Sequence, residues 1–137
     1  MRRLRVGVIG FGVGEQHALA YARDPRCELT ALCDRSEERL ARAGRDYPGA
    51  RRTPDAAALL AAPEVDLVSI ASFDDDHFAQ ALAALRAGKH VFCEKPLCRT
   101  LDETRALADA WRASGATYLM SNLVLRSAPL YRWLRDQ

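Results

Sequence analysis

Short apolar runs alternate with segments of helical periodicity along this chain. The first run, Leu4–Ile9, is rich in valine and ends at a glycine, a pattern typical of a strand buried on both faces. Similar apolar runs predict further strands at residues 28–33, 65–71, 90–93 and 117–121, and the repeat of strand and helix adds a candidate strand, without an apolar run, at residues 50–52. Helices are predicted between them at residues 15–22, 37–47, 54–62, 76–87 and 101–113, and a last helix is predicted at residues 129–135.

Strands that alternate with helices through short connections predict a mainly parallel sheet with helices on both faces, which is a doubly wound α/β fold. Two cap signals support the helix boundaries, because Ser36 can cap the second helix and residues 100–103 form a capping box before the fifth. A chain of 137 residues has the length of one such domain. No helix-ending signal follows the last helix, so we expect the first domain of a longer protein.

Composition and charge are those of an average soluble globular protein. Apolar residues make up 49% of the chain, and 20 basic side chains nearly balance 18 acidic ones, which argues against a nucleic-acid or membrane-surface binder. The longest unbroken apolar run, residues 56–62, is far shorter than the roughly 20 residues that span a bilayer. The four cysteines show no C-x-x-C spacing, which predicts buried thiols in a reducing cytoplasm.

A glycine-rich turn joins the first strand to the first helix. Gly10, Gly12 and Gly14, with Phe11 and Val13 between them, stand where a dinucleotide-binding fold lets the backbone approach a pyrophosphate at a helix amino terminus. The pattern is G-x-G-x-G, one residue shorter than the usual G-x-G-x-x-G. The glycines therefore predict a phosphate loop, and a purely structural turn is the alternative.

Asp34 ends the second strand 22 residues after Gly12, near the offset at which an acidic residue binds the adenosine ribose. A carboxylate there favours NAD over NADP, whereas the guanidinium of Arg35 could hold a 2′-phosphate instead. Asp34 could also be an ordinary turn residue before Ser36. S-adenosylmethionine-dependent methyltransferases are a second alternative, although the acidic residue that they place two positions before the first glycine is Val8 here.

Lys95 stands out because 18 of the 20 basic residues are arginine and the only other lysine is Lys89. It follows Glu94 at the end of a predicted strand, and Ser72 follows the end of another, so both segments fall at the sheet edge where doubly wound folds bind ligands. Unlike arginine, lysine can release its proton near neutral pH when burial or neighbours lower its pKa, as a proton relay requires. A surface lysine before a turn proline is the alternative.

Together these motifs resemble the glucose-fructose oxidoreductase, inositol dehydrogenase and MocA (Gfo/Idh/MocA) family of oxidoreductases. The resemblance covers almost the whole chain and rests on GFGVGEQHA at residues 10–18, Asp34, DLVSIASFDDDH at 66–77, AGKHVFCEKPL at 87–97 and the capping box that follows. It implies a Rossmann fold and a nicotinamide cofactor, NAD with NADP as a possibility. Residues 1–122 would be the NAD(P)-binding domain, and residues 123–137 would begin a helical connection to a second, substrate-binding domain.

The resemblance also assigns roles to residues of the second cluster. Lys95 would lie beside the substrate and the nicotinamide as the catalytic residue, and Glu94 would lie near the nicotinamide ribose. Asn122 would line the same cleft, and His77 would either face the cofactor or cap its helix locally. Two departures stand out in this sequence: the shortened glycine loop, and Phe73 where the family usually has proline.

The sequence thus predicts the cofactor domain of an enzyme that transfers a hydride between a nicotinamide cofactor and a secondary alcohol of a sugar, cyclitol or similar polyol. A nucleotide-binding module without turnover of its own, and less favourably a methyltransferase, are the alternatives. We expect no metal, because three aspartates at residues 74–76 already suit the start of a helix. The full-length protein is expected to be a cytoplasmic homo-oligomer without nucleic-acid or membrane partners.

Overall fold

Strands and helices alternate along residues 2–137, the part of the chain that the computed structural model describes. The strands are β1 (Leu4–Ile9), β2 (Cys27–Cys33), β3 (Arg51–Thr53), β4 (Leu67–Ile70), β5 (His90–Cys93) and β6 (Leu119–Ser121). The helices are α1 (Gly14–Arg23), α2 (Glu37–Asp46), α3 (Ala56–Leu60), α4 (Asp74–Arg86), α5 (Leu101–Ser114) and α6 (Pro129–Arg135). A short 3-10 helix at Val124–Arg126 precedes α6.

The six strands form one sheet in the order β3-β2-β1-β4-β5-β6, and every neighbouring pair is parallel. This is the strand order of a Rossmann fold, so the predicted doubly wound sheet is confirmed. The order reverses between β1 and β4, and a crevice opens at such a reversal beyond the carboxyl ends of the strands. The loops that follow β1, β2, β4 and β5 lie along that edge.

Buried side chains pack on both faces of the sheet. Ile9 belongs to a cluster with Ile70 of β4 and Leu85 of α4, whereas Val8 belongs to a second cluster with Leu32 of β2. Strand β1 therefore sends alternate side chains into the two clusters, as predicted for a strand buried on both faces. Burial of each large aliphatic side chain stabilises the fold by about 1.5–3 kcal/mol.

Several element boundaries differ from the predicted ones by one or two residues, and two of these differences have a clear physical reason. Helix α4 begins at Asp74 instead of residue 76, so all three aspartates occupy its first turn, where the helix dipole favours negative charge. Strand β4 begins at Leu67 instead of residue 65, because the amide of Val65 is bonded to Ala62 in a turn. Both predicted cap signals are confirmed, with Ser36 accepting from the Arg39 amide and a complete capping box at the start of α5.

Charged side chains brace the amino-terminal edge of the sheet, opposite the crevice. Arg5 of β1 donates to both carboxylate oxygens of Asp66, at 3.0 and 2.8 Å, and its hydrogen bonds hold the pKa of Asp66 well below the ordinary value. The buried Lys89 Nζ donates to the carbonyl oxygens of Ala62 and Val65, at 2.6 and 2.8 Å. Lys89 therefore has a structural role at the edge away from the crevice.

Two further predictions concern the whole chain. Cys33 and Cys93 are buried as expected, whereas Cys27 and Cys98 are only partly buried. Burial raises the pKa of the Cys33 and Cys93 thiols to about 11 and about 12. Among the helices of residues 2–137, none has the length and apolar character needed to cross a membrane.

Candidate functional site

A cleft of about 360 Å³ lies at the carboxyl ends of β1, β2 and β4, where the strand order reverses. Its walls are the loop after β1, the segment that begins with Asp34, the loop after β4 and the start of α3. This volume is within the range of small-molecule sites. The sheet therefore places the predicted phosphate loop and Asp34 around one cavity.

Each of the three positions in the loop is occupied by glycine for a different structural reason. Gly10 has a φ of +86°, and a Cβ there would lie 2.3 Å from the carbonyl oxygen of Ala71. A Cβ on Gly14 would lie 3.0 Å from a side chain of β1. A Cβ on Gly12, in contrast, would approach only Arg39, at 3.7 Å. Packing thus explains Gly10 and Gly14, whereas Gly12 keeps the backbone open toward the cleft.

The start of α1 presents unpaired backbone amides. Within residues 2–137, the N–H groups of Gly12, Val13 and Gly14 make no hydrogen bond, and no side chain caps this helix. The first N–H groups of a helix carry a partial positive charge and suit a phosphate group. The shortened loop therefore still offers three donors for an anion.

Phe11 was also predicted to contact the cofactor, but the structure gives it another role. Its side chain is buried in the core, edge-on to the ring of Tyr47 with 6.2 Å between the centroids. Its amide donates to Asp34 Oδ2 at 2.6 Å. Phe11 thus anchors the loop, and its amide is not available to a ligand in this arrangement.

Asp34 lies at the end of β2 with 8% of its surface exposed. In addition to the Phe11 amide, the carboxylate accepts from the Ser36 amide at 2.8 Å, and Arg39 lies 3.6 Å away. A carboxylate has about four acceptor positions, so these contacts leave capacity for ligand hydroxyls. Both predicted readings of Asp34 are therefore compatible: it shapes the turn, and it lines the cleft.

Arg35 extends from β2 toward the first turn of α4. Its guanidinium, 71% exposed, donates to Asp76 at 2.8 Å, and both residues line the cleft. Asp75 pairs in the same way with Arg99, which follows β5. The aspartates of α4 are thus partly engaged in ion pairs that connect neighbouring loops.

Glu94, at the end of β5, is held by side chains from two other parts of the fold, α1 and the segment after β6. Its Oε1 accepts from Asn122 Nδ2 at 2.6 Å and faces His17 Nε2 at 3.0 Å. Burial alone would raise the pKa of Glu94, but the hydrogen bonds to its carboxylate outweigh that effect and lower the pKa. Asn122 and Glu94 are therefore brought together, and neither of them lines the wall of the cleft.

His17 is the residue that sequence reasoning missed. It was given no site role from the sequence, yet its Nδ1 lies 2.9 Å from Ser69 Oγ while Nε2 faces Glu94. The histidine bridges the middle of β4 and the end of β5. No local pattern reveals this contact, because the two partners are 52 and 77 residues away.

Lys95 is exposed at the end of β5. Its backbone amide lies 3.3 Å from Glu94 Oε2, whereas its side chain makes no hydrogen bond or ion pair with residues 2–137. The ammonium group is thus accessible to a ligand. The rarity of lysine in this chain does not by itself indicate catalysis, since Lys89 is equally rare and is structural.

His77 and Ser72 hold the loops at this edge together. His77 is only 1% exposed, and its two ring nitrogens face the carbonyl oxygens of Pro96 and Ser72, at 2.7 and 3.1 Å. The Ser72 hydroxyl donates to Gln80 at 2.7 Å and lines the cleft. The structure thus gives His77 a bridging role between two loops, without the helix cap that was one predicted reading.

The residues present fit a dinucleotide. The cleft contains a buried carboxylate, unpaired amides stand at the start of α1, and an exposed lysine beside a fixed glutamate lies on the same sheet edge. Among residues 2–137, no group of three metal-ligating side chains converges.

Comparisons with known proteins agree with this geometry. Residues 4–122 match the family model GFO_IDH_MocA, described as an oxidoreductase family with an NAD-binding Rossmann fold. Inositol 2-dehydrogenase of Acidothermus cellulolyticus is 35% identical over 99% of this chain and 40% of its own length. The chain thus spans about 40% of that relative.

Two solved structures are similar over nearly the whole chain. Biliverdin reductase of Synechocystis, in complex with biliverdin and NADP+, superposes with a TM-score of 0.90 and 32% identity, over 98% of this chain and 42% of that one. GenD2 from gentamicin A biosynthesis, in complex with NAD, has a TM-score of 0.87 and 32% identity, over 98% and 38%. These matches are to oxidoreductases, so the methyltransferase alternative is not supported.

Proposed function

We propose, from the premise that this chain belongs to the Gfo/Idh/MocA oxidoreductase family, that it forms the cofactor site of a dehydrogenase acting on a secondary alcohol of a sugar, cyclitol or similar polyol. The observation that carries this proposal is the set of three unpaired amides at the start of α1, next to a cleft that is lined by Gly12 and Asp34. The substrate class follows the inositol dehydrogenase among the relatives.

In this proposal the amides of Gly12, Val13 and Gly14 bind the cofactor's pyrophosphate. They stand at the positive end of α1, and the space next to Gly12 is free of all but the flexible end of Arg39. Gly10 contributes the tight turn that brings the loop against Ala71.

Asp34 binds the adenosine ribose and favours NAD over NADP. Its carboxylate would repel a 2′-phosphate, while Arg35 and Arg39 near it would attract one. Both guanidiniums are already paired, Arg35 with Asp76 and Arg39 with Asp34, which reduces the positive charge offered to a phosphate. We therefore expect NADP to bind, but more weakly than NAD.

Lys95 and Glu94 act at the nicotinamide end. When bound, NAD supplies the hydride acceptor, and the protein's task is to orient it and manage the proton. Glu94 would bind the nicotinamide ribose, and the Lys95 ammonium would polarise the substrate hydroxyl and relay its proton. Desolvation of Lys95 would come from the bound substrate and cofactor, because the side chain is exposed here.

The whole protein's architecture is part of the same proposal. Residues 1–122 form the cofactor domain, residues 123–137 begin the connection to a substrate domain, and the complete protein is a cytoplasmic homo-oligomer. Since the chain spans about 40% of its relative, this segment alone would bind the cofactor without turning over a polyol.

Calorimetric titration with NADH, NADPH and S-adenosylmethionine tests the cofactor assignment. We expect NADH to bind most tightly and S-adenosylmethionine not to bind. Gly12→Val is the matched variant, because its side chain would fill the space over the free amides without meeting the core. It should abolish NADH binding at an unchanged melting temperature; NADH binding that survives Gly12→Val would contradict the proposed pyrophosphate site.

A further inference from the structure

We propose that His17 is a positioning residue: it holds Glu94 so that one carboxylate oxygen is presented to the nicotinamide ribose. The inference rests on the proposed function, because it assigns Glu94 to that ribose. It adds a residue of α1, together with Ser69 of β4, to the machinery at the end of β5.

The contact is partly buried and fixed on each side. The His17 side chain is 10% exposed and that of Glu94 is 15% exposed. The imidazole also packs edge-on against Phe92, with 5.3 Å between ring centroids. Ser69, the partner of Nδ1, is fully buried in β4. Neither ring nitrogen of His17 is left to solvent.

Hydrogen-bond chemistry gives this contact a direction. The lowered pKa of Glu94 keeps its carboxylate ionised, and an ionised carboxylate only accepts hydrogen bonds. Nε2 of His17 must therefore carry the proton and donate to Oε1. In the neutral ring Nδ1 then accepts, and the Ser69 hydroxyl donates to it. Glu94 thus sets the tautomer of His17, and the Ser69 hydroxyl completes the arrangement by donating to the other ring nitrogen.

The two carboxylate oxygens of Glu94 are used unequally. Oε1 receives both side-chain donors, from His17 and Asn122, and its two lone pairs are thereby filled. Oε2 receives only the Lys95 amide, at 3.3 Å. Oε2 is therefore the oxygen that remains for a ligand hydroxyl, and it lies next to Lys95.

Three substitutions of His17 separate positioning from packing. Gln places its amide nitrogen near the position of imidazole Nε2 and can still donate to Glu94, whereas Asn reaches only the position of Nδ1. Leu keeps apolar contact with Phe92 and removes both hydrogen bonds. Gln16→Leu, at the exposed neighbouring position of α1, is the control.

Affinity for NADH and for ADP is measured for each variant. ADP contains the pyrophosphate and adenosine but no nicotinamide ribose. We expect His17→Leu and His17→Asn to weaken NADH binding about tenfold and to leave ADP affinity within about twofold of that of the unmodified protein. His17→Gln should keep most of the NADH affinity that the other two variants lose. Equal losses for NADH and ADP would reduce His17 to a packing residue, and an unchanged NADH affinity in His17→Leu would also reject the inference.

A spectroscopic measurement tests the same idea without a ligand. Nitrogen-15 NMR of the labelled protein should show His17 as the Nε2–H tautomer, and Ser69→Ala should change that signal. An Nδ1–H tautomer would overturn the proposal. If the unmodified protein binds ADP but not NADH, or binds neither, the proposed function itself fails. If the unmodified protein binds NADH and the His17 variants bind it equally well, only the positioning role of His17 fails.

Discussion

Asp34 connects two loops through its two carboxylate oxygens, and its charge also lies in the wall of the cleft. Asp34→Ala should therefore lower NADH affinity and also weaken the glycine loop, because the Phe11 amide loses its acceptor, a loss of about 1–3 kcal/mol. The ratio of NADH to NADPH affinity isolates the electrostatic effect of the Asp34 carboxylate. Both cofactors bind through the glycine loop, so damage to the loop weakens both and cancels in the ratio. We expect that ratio to fall about tenfold in calorimetric titrations, about 1.4 kcal/mol. An unchanged ratio would remove the ribose role from Asp34.

Single residues show where reading the sequence succeeds and where it stops. The glycines and Asp34 could be assigned because turn geometry and offset from a strand are local properties. The burial of Phe11 depends on Tyr47, 36 residues later, and the polar contacts of His17 depend on strands still further away. Such side-chain partners are set by packing between elements, which periodicity along the chain does not encode.

At the scale of elements, the loop into α4 has a backbone at Phe73 that would suit the proline expected there from the family resemblance. Phe73 precedes α4 with a φ of −73°, which is within the range that proline imposes, and its amide makes no hydrogen bond within residues 2–137. Phe73→Pro should therefore be tolerated. It should stabilise the protein by up to ~1 kcal/mol, because proline lowers the conformational entropy of the unfolded chain. Thermal unfolding checks this, with Phe73→Gly as a control that should lower the melting temperature. A large loss in Phe73→Pro would mean that the loop needs a different conformation.

The elements themselves were predictable because every strand except β3 lies in a short apolar run and the helices alternate with these runs, two of them with clear cap signals. All six strands and all six α-helices of residues 2–137 match predicted segments, and no boundary is wrong by more than two residues. At α4 the helix was predicted from residue 76, with the three aspartates suited to its start, and in the structure all three lie in its first turn. Acidic residues suit both the position before a helix and its first turn, so the pattern alone does not fix the boundary.

At the scale of the whole molecule, the two edges of the sheet have separate roles: one carries the cleft, and the other carries the Arg5–Asp66 pair, which contributes to stability. Acid should weaken the contribution of that pair. The hydrogen bonds from Arg5 lower the pKa of Asp66 in the folded state below its unfolded value of 3.8, so the unfolded chain binds more protons as the pH falls. Stability from this pair is therefore present above about pH 4 and is lost as the pH drops through the folded pKa. Asp66→Asn should cost about 1–2 kcal/mol at pH 7 and somewhat less at pH 3, where the unfolded chain is largely protonated at this position but the folded carboxylate is still ionised. Urea unfolding at both pH values measures this.

The control for Asp66 is Asp109→Asn on α5, where an exposed pair with Arg112 should contribute little at either pH. NADH affinity should be the same in both variants, because Asp66 lies at the edge of the sheet away from the cleft. A loss of NADH binding in Asp66→Asn would show that the two edges are not independent.

The segment 123–137 tests where the cofactor domain ends. Its side chains are mostly exposed, including large apolar ones such as Leu130 and Trp133. Within residues 2–137, its one hydrogen bond to the preceding residues is from the Leu123 amide to the carbonyl oxygen of Ser121. A chain that ends at Val124 keeps Asn122 against Glu94 and removes α6. We expect its melting temperature and its NADH affinity to match those of the 137-residue chain, because little buried area is lost, and we expect it to aggregate less as exposed apolar surface is removed. Differential scanning calorimetry and NADH titration measure both properties. A melting temperature several degrees lower would show that α6 belongs to the folded domain and that the boundary at residue 122 is wrong.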